Sequence, residues 1–236
     1  MEISARKIFE ALVLVSLIFF IVHVALLSIN YADPYWYEAI ELFNMDREIS
    51  LPTWYNQLLF VALAAILGAI CVAKKRGGDR WWKYWAALSV GMVFLSADEG
   101  AMIHEKIDIL AQLTGLKWFL VSVGGPVFTY SWWVIVLVVL VAAGLVCWRF
   151  FNTLPKRTLQ LLLAAVAVFL FGAVGLEAYA SWYNSIDASY YVSHFITGLE
   201  ETCEMLGLSI AIYTFLDYAR SLPASLWRKV KFSIEQ

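Results

Sequence analysis

The chain has 236 residues, 62% of them hydrophobic and 15% charged, with a formal net charge of −2. That balance is too apolar for a soluble globular domain, and the near-neutral charge, with no basic run interleaved with stacking aromatics, excludes a nucleic-acid binder. Cys71, Cys147 and Cys203 lie singly inside apolar runs, which argues against a disulfide framework or a thiolate metal site.

In chain order, six apolar segments are each long enough to cross about 30 Å of hydrocarbon at about 1.5 Å per residue. They fall near residues 8–29, 54–73, 84–106, 126–148, 159–183 and 192–218. The expected fold is therefore all-α, a six-transmembrane-helix bundle forming one integral membrane domain over residues 1–236. The first segment follows Arg6 and Lys7 as a signal peptide would. Its apolar run outlasts a cleavable core and no small-x-small site follows, so it reads as a retained helix. After it, Asp33-Pro34 opens an amphipathic stretch near 34–48, in which Trp36, Ile40 and Phe43 mark a short interfacial helix. The tail SLPASLWRKVKF, basic with interspersed apolar residues, suits the surface of an anionic leaflet.

The positive-inside rule sets the orientation. With both termini inside, fourteen basic residues fall in cytoplasmic segments: Arg6, Lys7, Lys74, Lys75, Arg76, Arg80, Lys83, Arg149, Lys156, Arg157, Arg220, Arg228, Lys229 and Lys231. Only Arg47, Lys106 and Lys117 fall outside. The reading is an N-in, C-in protein of a prokaryotic cytoplasmic membrane.

In that topology the stretch SADEGAMIHE occupies the outer half of the third helix, Glu177 the outer end of the fifth, and YVSHFITGLEETCEMLG the entry of the sixth. At about 100° per residue, Asp98, Ala101, His104, Glu105 and Asp108 fall within one helical face, while Glu99 projects to a different side. His194, Thr197, Glu200, Glu201, Glu204 and Leu208 share a face of the sixth, where Gly198 and Gly207 allow a neighbouring helix to approach.

An ionised side chain in the middle of a bilayer costs about 2.5–3.5 kcal/mol on insertion scales, so these acids are expected to point inward and be paired, protonated or metal-bound. Carboxylates with imidazole, and no thiolate, suit iron, manganese or zinc. The expected ligands of one or two divalent ions are His104, Glu105, Glu177, His194, Glu201 and Glu204, with Asp98 or Glu200 as general base. The absence of a Glu-x-x-His pair leaves nuclearity open. Blander readings apply to four other residues. His23, alone on its helix, reads as a hydrogen-bonded packing residue, Glu99 as the partner of a basic or hydroxyl group, and Lys106 and Asp108 as a solvated helix end.

With these residues in view, SADEGAMIHE, FLFGAVGLE and EETCEMLG together resemble a group of uncharacterised bacterial multi-pass membrane proteins with S-x-D-E-x4-H-E and E-E-x2-E-M-L-G blocks. The likeness runs from the second helix to the sixth. It supports the membership of the site and implies no reaction. Ser96, Asp98, His104, His194 and His23 are also similar in type to the zinc-holding set of ceramidase-like membrane hydrolases. That resemblance implies metal-activated water, although the His-x3-His pair of those enzymes is missing here and the glutamates have no counterpart.

The function expected from these features is a metal-dependent hydrolase or oxidase acting on a lipid or lipophilic substrate at the outer leaflet. The interfacial helix and a loop over 107–125 would form its lid. A proton or divalent-metal transporter or sensor built on the same cluster is the alternative. It is disfavoured because the inner halves of the helices offer little beyond Ser16, Ser89, Ser209 and Tyr213. A structural assembly protein is a further alternative that leaves the acids unexplained. The partners implied are membrane lipids, and the oligomeric state is left open.

Overall fold

The computed structural model describes residues 4–29, 36–125, 132–186 and 189–228, and among these every regular element is a helix. Helix α1 (Ala5–Leu27) starts where the Ser4 hydroxyl accepts the Lys7 N–H, an N-cap that satisfies one of the donors a helix end leaves over. The short α2 (Tyr37–Phe43) follows, within the stretch expected to be helical, although residues 34 and 35 of that stretch lie outside the described residues. Ser50 caps α3 (Leu51–Arg76) by accepting the Thr53 N–H, and Lys74, Lys75 and Arg76 occupy its last turn, where cations suit the helix dipole.

A tight turn returns the chain into α4 (Trp82–Ala101). Gly78 adopts a φ of +75° there, and Asp79 closes the turn by accepting the Trp81 N–H at 2.8 Å and the Lys74 ammonium at 3.0 Å. The resulting α3–α4 hairpin is stitched along its length. Ser89 donates to the Ala64 carbonyl and Ser96 to the Gln57 carbonyl, so hydroxyls in an apolar interface are satisfied by backbone.

The helix expected over 84–106 is divided. Met102 takes the left-handed conformation (φ 51°, ψ 45°), ending α4 and starting α5 (Ile103–Leu113) in a new direction. Nothing in the composition of a methionine announces this, because a non-glycine residue at positive φ is held there by its surroundings. The loop expected over 107–125 is itself mostly helical: after Gly115 (φ +75°) comes α6 (Leu116–Gly124). Helix α7 (Trp132–Phe151) covers the described part of the fourth expected segment, and residues 126–131 lie outside the described residues.

The fifth expected segment is longer than the sequence suggested. Helix α8 (Lys156–Leu170) runs through a π-helical turn (Phe171–Leu176) into α9 (Glu177–Ile186). Helix α10 (Tyr190–Ser221) then forms the spine, packing against α1, α3, α8 and the π turn, and α11 (Ala224–Arg228) follows. Among the described residues, three stretches are long and apolar enough to cross a membrane: Ala5–Leu27, Leu51–Arg76 and Lys156–Ile186.

Glycines decide how closely α8 and α10 approach. A Cβ on Gly207 would stand 2.7 Å from Phe169 Cβ and 2.9 Å from the Ala165 carbonyl oxygen, and one on Gly172 would stand 2.7 Å from the Glu200 carbonyl oxygen. Each helix thus presents a hydrogen where the other's backbone passes. At the end of the bundle nearest the α3–α4 turn, Trp85 is buried edge-on to Phe150 (5.1 Å between centroids) and stacked on Tyr218 (5.2 Å). Offset and edge-on rings of this kind add to the burial of their large apolar areas.

Candidate functional site

Polar side chains are spread unevenly over α10. Thr202, Ser209 and Thr214 each donate to the carbonyl four residues earlier, which removes their hydroxyls from account. In the first half of the helix, Glu200, Glu201 and Glu204 form about one turn of carboxylates, where α10 packs on α3 and the π turn.

Glu200 is buried, and its electrostatic neighbours are Glu177, Glu201 and Asp46; its carboxyl is hydrogen-bonded to that of Glu177. The π turn matters to this pairing. One extra residue per turn rotates α9 relative to α8, and Glu177 is the first residue after it. On the other flank, Glu99 at the end of α4 accepts the Asn56 amide N–H at 3.0 Å, and Glu201 and Glu204 both count Glu99 among their neighbours. Glu204 joins the flanks, lying near Glu99, Glu200, Glu177 and the Asn56 amide. Five glutamates from α4, α9 and α10 are therefore electrostatic neighbours in one acidic cluster, with fully buried Asn56 of α3 beside Glu99 and Glu204.

No lysine or arginine occurs between residues 48 and 73, 84 and 105, or 158 and 219, the segments that carry this cluster. Carboxyls crowded together in this way must be protonated or neutralised by a bound cation. Asn56 sharpens the point. Its Oδ1 is buried and without a hydrogen-bond partner among the described residues, although buried amide oxygens are almost always bonded.

The expected site residues fare differently. Glu177, Glu200, Glu201 and Glu204 are brought together. Asp98 is half-buried at the end of α4, one residue before Glu99 and so about 100° round the helix. His104 and Glu105 follow the break at Met102, on α5, so the single face expected to carry them with Asp98 does not exist; their side chains, and that of Asp108, lie outside the described residues. His194 is aimed elsewhere: its Nδ1 lies 3.0 Å from the Tyr190 carbonyl oxygen and its Nε2 3.5 Å from an Asp46 carboxylate oxygen.

His23 has the packing role expected of it. Its ring is 2% exposed, Nδ1 accepts the Met45 N–H at 3.2 Å, and Nε2 lies 3.0 Å from the His194 carbonyl oxygen. With Nδ1 accepting, Nε2 must carry the proton, so the imidazole is neutral and both nitrogens are occupied. Lys106 donates to the Ala101 and Met102 carbonyl oxygens, serving the break between α4 and α5. Among the described residues, no three His, Cys, Asp or Glu side chains form a group able to hold a metal ion.

Glu99 and Asn56 are the members sequence reading missed. Asn56 did carry a signal, as a polar residue inside the apolar run of the second expected helix. Glu99 was placed on a divergent face, which is the face that α3 and α10 cover.

Among the described residues this is an all-helical protein with three helical stretches of membrane-crossing length and a cluster of buried or half-buried glutamates. Residues 11–219 match the model of a family described as a domain of unknown function, DUF8692, and the chain belongs to that family. No curated protein and no solved structure matches it.

Proposed function

We propose that the chain is an integral membrane metalloprotein, in which the acidic cluster lines a chamber that holds a divalent iron, manganese or zinc ion for chemistry on a lipophilic substrate. The observation that carries this reading is the clustering of Glu99, Glu177, Glu200, Glu201 and Glu204 as electrostatic neighbours in segments with no lysine or arginine. Glu204 sits between the two flanks and, with Glu201 one turn earlier, is the natural ligand pair. Ligation requires these side chains to close on the ion, because as they stand no three of the described groups converge. Glu200, held against Glu177 across the helix interface, is placed to take a proton from water. Asp98 stays a candidate for the same role, and His104 and Glu105 for ligation. A metal in this position would acidify bound water or polarise a substrate oxygen.

The proposal includes six membrane crossings, with α4, α7 and α10 added to the three membrane-length stretches, both termini inside and the chamber toward the exterior. The basic residues clustered at the α3–α4 turn support that orientation.

A second reading is proton binding for transport or sensing, and one observation favours it. A protonated Glu99 or Glu204 would give the orphan Asn56 Oδ1 the donor it lacks.

Elemental mass spectrometry of the purified full chain separates the two. Stoichiometric metal in the wild type, lost in Glu201→Gln/Glu204→Gln with the fold intact, is the expected result. Absence of metal from both folded proteins overturns the metalloprotein reading and leaves the proton reading.

A further inference from the structure

The basic end of the molecule carries a second site, independent of the acidic chamber. A cleft of about 630 Å³ opens between the start of α4 and the end of α7, with Arg80, Trp81 and Tyr84 on one wall and Trp148, Arg149 and Asn152 on the other. Its floor is rigid: Tyr84 stacks on buried Phe150 at 5.2 Å with ring planes 10° apart, and Trp81 packs edge-on against Tyr84. The Arg80 guanidinium lies 4.7 Å over the Trp81 ring, an arrangement that fixes the cation while leaving its N–H edge open to an acceptor. No carboxylate lines the cleft among the described residues. Asp79, the adjacent acid in sequence, is hydrogen-bonded to Lys74 and the Trp81 amide, and Arg80 is a further charge neighbour of it.

Two guanidiniums facing a cleft without an acid call for an anion with several acceptor oxygens, and phosphate is the best fit to their forked geometry. The surface of α7 says what kind of phosphate. Leu137, Val138, Val141, Ala142 and Leu145 form an apolar furrow along this helix. At about 100° per residue, Trp148, Arg149 and Asn152 fall on the same face, so the furrow leads into the cleft. From Leu137 to Trp148 the rise is about 17 Å at 1.5 Å per residue, close to half of the roughly 30 Å hydrocarbon core. Trp148, 64% exposed, stands where furrow and cleft meet, the position amphipathic indoles take at a membrane interface.

We propose that this cleft and furrow bind one anionic phospholipid, the phosphate between Arg80 and Arg149 and an acyl chain along α7.

The test is native mass spectrometry of the detergent-solubilised full chain with phosphatidylglycerol or phosphatidylcholine of matched chain length. A preference of about tenfold for phosphatidylglycerol is expected, lost in Arg80→Gln/Arg149→Gln and kept in the control Lys156→Gln. Ala142→Trp, which fills the furrow at an exposed position, should weaken lipid retention. It also carries the test should the arginine double variant fail to fold. Equal retention of both lipids, or retention unchanged by either variant, overturns the proposal. So does full displacement of phosphatidylglycerol by inorganic phosphate with Ala142→Trp silent, which would leave an anion site that ignores the chain.

Discussion

The imidazole of His23 fills the notch that Gly198 leaves in α10: its Cδ2 lies 2.8 Å from where a Cβ on residue 198 would stand, and its Nε2 3.0 Å from the carbonyl of His194. Gly198→Ala therefore forces the ring, held at both nitrogens, out of place. Overpacking of this kind costs about 1–3 kcal/mol. Thermal unfolding in detergent should show it, and an unchanged melting temperature would mean that α1 and α10 are not fitted through this ring. His23→Leu should cost a similar amount, about 1–3 kcal/mol, by leaving the buried Met45 N–H without an acceptor.

Glycines elsewhere divide into those that matter and those that do not. Gly207→Ala should destabilise at the upper end of that range of about 1–3 kcal/mol, since the atoms met by its Cβ include α8 backbone. Gly91→Ala and Gly144→Ala meet nothing within 4 Å, and each should stabilise by about 0.5–1 kcal/mol through helix propensity. If Gly207→Ala melts like Gly144→Ala, the close crossing of α8 and α10 is wrong.

Repulsion inside the acidic chamber predicts a stability gain from losing a carboxylate. After chelator treatment, Glu200→Gln should melt above the equally treated wild type. A gain of about 1 kcal/mol would appear as about 2–4 °C in a chain of this size. Metal added back should stabilise the wild type more than the variant, as binding to the folded state requires. A variant that melts lower than the wild type in chelator would show that Glu200 is held by a partner that compensates its charge.

At the α3–α4 turn, burial alone would push Asp79 upward, but the Trp81 amide and the Lys74 ammonium outweigh it and hold the carboxyl below its ordinary value. A carboxyl depressed in the folded state binds protons more readily when unfolded. Its stabilisation is complete above the unfolded value of about 3.9 and is lost as pH falls through the lower folded value. Wild type should therefore lose stability relative to Asp79→Asn as pH drops below about 4. The difference at neutral pH should be about 1 kcal/mol for this half-buried pair. Parallel melting curves at every pH would remove Asp79 from the turn.

Long apolar runs made the helices legible. Ser4 and Ser50 begin α1 and α3 with cap chemistry that a sequence displays openly. Met102 and the π turn did not show themselves, because both are local distortions that tertiary packing holds in place, and each changed the site. Met102 separates His104 and Glu105 from the helix of Asp98 and Glu99. The π turn sets the facing of Glu177. The acids of α10 were found by spacing alone, since α10 is one unbroken helix. Glu99 was lost by centring a helical wheel on its neighbour Asp98, a choice that only the position of α3 could have corrected.

The length of α10 has a bearing on where a bilayer would meet the acids. Its 32 residues span about 48 Å at 1.5 Å per residue, well beyond the roughly 30 Å of a hydrocarbon core. If Arg220 marks one boundary of that core, about twenty residues of rise place the opposite boundary at Glu200. The helix would then act as a ruler that sets Glu200 at the waterline, with Glu201 and Glu204 within about 6 Å of it and well short of the midplane. That is the level at which the polar and apolar halves of an amphiphile meet.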